Sequence, residues 1–239
     1  GILKADVDNL GKLFACGLPK ERLNLSRLAT LSRQMNDFFS IYLPNLCATD
    51  PRFSNLYTVF AGGDDLFLIG PWNRVIDFSE VLQKSFNRFA CENAEITISV
   101  GISVNKPGMP VPAIARQAEK ALKASKDAGR NRLTMFDETV TWAEFGQLLI
   151  IRDTLEDWQR RGYLGTAMLY RMNELMSMAR EEENIRTSKQ PVDLRNMDCL
   201  AWRSRFTYSA TRNVGKALDK NARKQALEEV MNAVTWHHD

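Results

Sequence analysis

At 239 residues, with 44% hydrophobic and 26% charged residues and a formal net charge of +3, the chain has the composition of a globular protein of one large or two small domains. That charge argues against a polybasic nucleic-acid binder, no apolar run reaches the ~20 residues of a membrane span, and no secretory signal is visible. The four scattered cysteines (Cys16, Cys47, Cys91 and Cys199) form no CxxC pair, which points away from a zinc ribbon or disulfide framework and fits a reducing cytoplasm.

In chain order, residues 2–7 read as a strand, already under way at Gly1 and without an initiating Met. The chain therefore reads as part of a longer protein, or as one whose missing half is supplied elsewhere. Residues 26–44 carry Leu28, Leu31, Met35, Phe38, Phe39 and Tyr42 at helical spacing. Leu56–Phe60 and Leu66–Ile69 are strand-like runs around Gly62-Gly63-Asp64-Asp65, where Gly62-Gly63 predicts a two-residue primed turn between strands buried on both faces. Residues 74–92 are helical again, Glu95–Val104 is the most strand-like segment, and a Pro-rich loop (Pro107, Pro110, Pro112) leads to a helix at about 112–128. Arg132–Phe136 reads as a last strand. From Trp142 onward the pattern is helical: 142–161, 164–183, 200–214 and 214–236, with a polar Pro-containing loop at 187–196. The fold class is thus α+β, a ferredoxin-like palm (βαββαβ plus one strand) over 1–140 followed by an all-α helical bundle over 141–239.

In that topology the first two strands run parallel and the third fills the slot between them, so the end of the first strand lies beside the hairpin tip. Asp6 is therefore expected to meet Asp64 and Asp65, with Asp8 on the same face of its strand as Asp6. Adjacent carboxylates repel unless a cation offsets them, and three converging on a strand end suit Mg²⁺ or Mn²⁺ in a two-metal site. His237 and His238, the only histidines, lie at the extreme end and read as a chance tail.

Ala5-Asp6-Val7-Asp8, Gly62-Gly63-Asp64-Asp65, Ile96–Ile102 and Ala118–Arg132 together resemble the GGDEF/palm nucleotide cyclase superfamily. Ala5–Gly11, Leu31-Ser-Arg with Phe38-Phe39, Ala61–Trp72 and Trp142 more closely resemble the large subunit of type III-A CRISPR–Cas effector complexes, with the palm covered closely and the helical remainder loosely. The resemblance implies joining of ATP into cyclic oligoadenylates, triggered by target RNA paired to the complex's guide RNA. It gives Asp6, Asp64 and Asp65 catalytic and metal-binding roles, and Gly62, Gly63, Asp8, Lys126 and Arg130 nucleotide-binding ones. Guanine chemistry is not expected, because Phe14 stands near a position that reads the guanine edge in diguanylate cyclases. The implied partners are other subunits of the complex, a chain or segment supplying a second palm, and guide and target RNA, with no membrane. The family's HD nuclease domain is absent from this chain. Arg203, Arg205 and Arg212, interleaved with Trp202, Phe206 and Tyr208, are the candidate RNA-binding patch, and a solvated helix face is the alternative. Two readings of different class stay open: the catalytic palm of an ATP-polymerising enzyme, or a structural subunit of an RNA-guided complex whose palm binds nucleotide or nothing.

Overall fold

Alternation at the start of the chain builds the central strand. β1 (Ile2–Val7) turns Leu3, Ala5 and Val7 to one face of the sheet and Lys4 and Asp6 to the other. Both neighbours are antiparallel to it: β3 (Asp65–Ile69) on one side and β4 (Ile98–Ser103) on the other. β2 (Tyr57–Gly62) pairs with β3, while β5 (Arg132–Met135) runs parallel to β4 and is followed in a hairpin by β6 (Glu138–Thr141). The sheet order β2-β3-β1-β4-β5-β6 contains the ferredoxin-like βαββαβ arrangement. The structure, a computed structural model, describes all residues except 18, 20, 22, 188–193 and 234–239, and of 194–196 only the backbone.

The first crossover comprises α1 (Leu10–Cys16), α2 (Leu25–Asp37), a π-helical segment (Phe38–Tyr42) and α3 (Leu43–Thr49). Pro44 explains the π-helical widening: it has no N–H to give the carbonyl one turn back, and its ring crowds that carbonyl. α4 (Trp72–Phe89) forms the second crossover and packs on β1 and β4. Leu3, Ala5, Val7, Leu66, Leu68 and Val100 are buried, as are Phe39, Phe78 and Phe86 of the crossover helices. Each of these side chains larger than Ala5 contributes roughly 1.5–3 kcal/mol of hydrophobic stabilisation. On the opposite face α5 (Val111–Asp127) lies directly on β4 at Gly101, where a Cβ would stand 2.1 Å from the Leu122 nitrogen and 2.6 Å from the Ala118 carbonyl oxygen. The bare glycine is what permits this approach.

Three sequence expectations change. β2 is an edge strand, with Tyr57 70% and Phe60 55% exposed, so the hairpin is not buried on both faces. Two strands rather than one extend the palm: Phe136 and Asp137 take positive φ (55° and 62°) in a primed two-residue turn that no glycine or asparagine announces. Finally, α1 precedes the predicted first helix, starting from Asn9 in a left-handed conformation.

The chain divides into two compact units, Gly1–Leu148 and Leu149–Asp239, with the division inside α6 (Trp142–Arg160). In the second unit α7 (Thr166–Thr187), a 3-10 segment (Leu194–Ala201), α8 (Trp202–Asn213) and α9 (Lys220–Ala233) surround a core that includes Trp158, Met168, Phe206 and Val230. α9 starts later than its apolar pattern because Gly215 (φ 59°) breaks the chain and the Asp219 carboxylate caps the N–H groups of Asn221 and Ala222. Most of the predicted 187–196 loop and the His237-His238 tail lie outside the described residues.

Candidate active site

The β2–β3 hairpin sets the site. Gly62 pairs with Asp65, so the turn residues are Gly63 and Asp64 rather than Gly62 and Gly63. Gly63 alone has positive φ (63°), the sign pattern of a type II′ turn, and Gly62 ends β2. A residue not singled out in the sequence holds this tip: the Asn36 side-chain oxygen, from α2, accepts the Gly63 N–H at 3.1 Å. Only the docking of α2 brings it there, so no local signal marks it. The Val7 N–H donates to the Asp64 carbonyl at 3.3 Å and joins the tip to the end of β1.

This register sets Asp6 directly opposite Asp65. Partial desolvation at the strand end, the hydrogen bond with Asp6, and the charges of Asp6 and Asp64 push the Asp65 carboxyl up to about 6, against the pull of Lys126. Lys126, in the last turn of α5, forms an ion pair with Asp6. The expected meeting of three carboxylates is reduced to this pair, with Asp64 acting on it through its charge. Among the described residues no group of three or more His, Cys, Asp or Glu side chains is gathered closely enough to hold a metal ion. Two facing carboxylates, one of them resisting ionisation, still fit a hard divalent cation. Mg²⁺ is commonly held by one or two carboxylates with substrate phosphates and water completing its shell.

Asp8 lies elsewhere. The strand ends at Val7, and the Asp8 carboxylate is buried (3% exposed). It accepts hydrogen bonds from Thr97 Oγ1 (2.8 Å), Ser99 Oγ (2.7 Å) and the Asn131 N–H (2.9 Å). With both oxygens committed, it offers a nucleotide no open face. After α5 the chain passes through Gly129, Arg130 and Asn131, all at positive φ (120°, 63° and 50°), and Arg130 is exposed. A cleft of about 420 Å³ opens beside the carboxylates, lined by Asp6, Asp65, Phe60, Phe67, Lys123 and Lys126. Phe14 is half-buried on α1.

The arginine–aromatic patch of the second unit is largely committed. Arg203 pairs with Glu182 and lies over the Trp202 ring, Arg212 bonds the Tyr208 hydroxyl, and Phe206 is in the core. Arg205 donates to the Met178 sulfur at 3.8 Å. The helical period of α8 puts Phe206 inward, a direction that composition alone does not reveal.

Residues 1–134 match the family model of the Cas10/Cmr2 second palm domain. The chain is 31% identical over 197 residues to an Enterococcus italicus protein named CRISPR system single-strand-specific deoxyribonuclease Cas10/Csm1 (subtype III-A), covering 79% of this chain and 24% of that one. It thus spans about a quarter of the length of that relative. Solved Csm1–Csm4 cassettes, one in complex with one ATP and one with cA4, superpose with TM-scores of 0.62 at 21% identity, covering 98% of this chain and 36% of theirs. At that identity the likeness establishes the fold.

Proposed function

Because the chain belongs to the Cas10/Cmr2 second-palm family, we propose that it is the nucleotide-polymerising palm of a type III-A CRISPR effector complex and joins ATP into cyclic oligoadenylates when target RNA pairs with the guide. The observation that carries this reading is the Asp6–Asp65 pair across β1 and β3, with Lys126 on it and Arg130 just beyond the same helix. Relatives of the same fold solved with ATP and with cA4 support the choice of nucleotide.

Asp6 and Asp65, with Asp64 adjacent, would hold Mg²⁺ or Mn²⁺, which would neutralise triphosphate charge and make a 3′-hydroxyl more acidic. Lys126, paired with Asp6 when the site holds no nucleotide, would turn to phosphate when ATP binds, and Arg130 would add a fork of donors. The Gly62–Gly63 backbone, free of side chains, admits the phosphates at the hairpin tip. Joining two ATP molecules requires a second nucleotide held in line with the first, and a second palm, from the same longer protein or a partner, holds it. Residues 1–140 form the palm domain and 141–239 the helical domain that contacts neighbouring subunits. Csm4-like subunits, guide RNA and target RNA are the partners. No helix among the described residues is long and apolar enough to cross a membrane, and the complex works in the cytoplasm.

The test is Mg²⁺-dependent ATP turnover by the assembled complex, with and without target RNA, products being identified by mass spectrometry. Target-dependent oligoadenylates that vanish in Asp64→Ala/Asp65→Ala are expected. Undiminished synthesis by the double variant overturns the assignment. Assembly without turnover by the wild-type complex favours the non-catalytic, nucleotide-binding alternative.

A further inference from the structure

We propose that Asp8 is a positioning residue: its buried carboxylate fixes the connection after α5 and so presents Arg130 to a triphosphate, without touching the nucleotide. The inference rests on the reading of Arg130 as a phosphate ligand.

Same-face residues of β1 and its end fasten α5 and the connection leading from it to β5. Lys4 pairs with Glu119, Asp6 pairs with Lys126, and Asp8 accepts the N–H of Asn131. Each step of two along β1 thus takes hold of a point further along the chain, at 119, 126 and 131. The last point is the one that needs holding. Gly129, Arg130 and Asn131 are three successive residues at positive φ, a region that arginine enters rarely. Two hydrogen bonds bracket Arg130: its own N–H donates to the Ser125 carbonyl at 3.1 Å, and the next N–H, of Asn131, donates to Asp8 at 2.9 Å.

Both anchors are rigid. The Ser125 hydroxyl is buried and donates to the Val100 carbonyl of β4 at 2.8 Å. Asp8 is clamped by Thr97 and Ser99 at the start of the same strand. The connection is therefore tied to β4 from both sides, and Arg130 is left exposed beyond Lys126. Removing Asp8 releases one side. Arg130 then samples other directions, and ordering it is added to the work of binding.

The test uses the chain within its assembled complex. ATP dissociation constants are measured for wild type, Asp8→Ala, Asp8→Asn, Arg130→Ala and the Asp8→Ala/Arg130→Ala double variant, with amide hydrogen exchange followed across 129–132. Asp8→Ala and Arg130→Ala should each weaken ATP binding by about 10- to 100-fold, the worth of a hydrogen bond to a charged group. The double variant should be no weaker than Arg130→Ala. Asp8→Asn, which keeps a carbonyl for the Asn131 N–H, should retain near-wild-type affinity and protection. Exchange at Asn131 should rise in Asp8→Ala alone among the single variants at position 8.

Additive losses in the double variant, or unchanged Asn131 exchange in Asp8→Ala, overturn the inference. If Asp8→Ala does not assemble, Asp8→Asn decides. Near-wild-type affinity with a protected amide supports positioning, and weakened affinity with a protected amide overturns it in favour of direct contact. Arg130→Ala binding ATP like wild type removes the phosphate reading itself, and the inference with it, whatever the exchange at Asn131 shows.

Discussion

Asp65 stands directly across from Asp6 in the β1–β3 register, and Lys126 closes on Asp6 from the end of α5. Partial desolvation at the strand end, together with the hydrogen bond to Asp6 and repulsion from Asp6 and Asp64, holds the Asp65 proton to about 6 rather than the ordinary 3.8. A divalent cation at the proposed site would relieve the same repulsion, so protons and metal would compete for one place.

The pH dependence follows from that shift. With its folded-state value raised, Asp65 favours folding below about pH 4, and that contribution is lost as pH rises through about 6. Asp65→Asn should therefore melt higher than wild type at pH 7–8 in EDTA. Because Asp65 is exposed, solvent screening keeps the gain below about 1 kcal/mol, or about 2–4 °C for a chain of this size. The difference should close below about pH 4 and shrink when Mg²⁺ is added. A variant that melts lower at pH 8, with the gap unchanged at pH 4, contradicts the assignment.

The glycines of the palm should separate by role. Gly101→Ala drives a Cβ into the α5 backbone, which cannot yield as a side-chain end can. Overpacking of this kind costs about 1–3 kcal/mol or more, and because α5 must lift, Lys126 loses Asp6 and ATP binding should fall as well. Gly62→Ala meets nothing closer than the Asn36 side-chain oxygen at 3.5 Å and should leave stability nearly unchanged. Chemical denaturation of the two variants side by side measures this, and equal stabilities count against the α5–β4 contact.

Much of this is legible in the sequence. The βαββαβ order follows from periodicity, because the strands and helices of 2–103 differ sharply in apolar spacing, and Gly-Gly-Asp-Asp marks the hairpin tip. Alternation gives the face shared by Asp6 and Asp8 but not the point where β1 stops, and the resemblance that makes Asp8 a nucleotide ligand does not show its carboxylate taken up by Thr97, Ser99 and the Asn131 N–H. β6 escapes it because Phe136-Asp137 carries no ordinary turn signal, and Tyr57 and Phe60 read as buried because composition does not distinguish an edge strand from a central one. Asn36 is out of reach: its contact spans 27 positions and exists only after α2 docks.

That contact gives its own prediction. Asn36→Ala removes the acceptor of the Gly63 N–H at an exposed tip, where water replaces it, so stability should drop by no more than about 1 kcal/mol. The tip then moves against β1, and turnover should fall far more than stability does. Asn36→Asp keeps the acceptor but adds a negative charge beside Asp64 and Asp65, so it should keep the hairpin and bind metal-free ATP less well. Full activity in Asn36→Ala would show that the tip is set by its turn alone.

Lys126 tests the exchange of partners most directly, because its two roles pull in opposite directions. Without nucleotide it neutralises Asp6, the place proposed for a divalent cation. With nucleotide it is proposed to leave Asp6 and bind phosphate. Lys126→Met keeps the stem that lies along the cleft and removes the charge. The bare Asp6–Asp65 pair then meets no competing ammonium, so Mn²⁺ should bind more tightly to the nucleotide-free complex, by up to roughly fivefold for a partly exposed pair worth about 1 kcal/mol. ATP binding should weaken by at least as much, since a charged hydrogen-bond donor to phosphate is gone. Mn²⁺ titrations followed by electron paramagnetic resonance, with ATP binding measured calorimetrically on the same samples, give both numbers. Opposite signs support the exchange. If Mn²⁺ and ATP both weaken in parallel, Lys126 supports the fold of the site rather than switching within it, and unchanged values for both would remove Lys126 from the site.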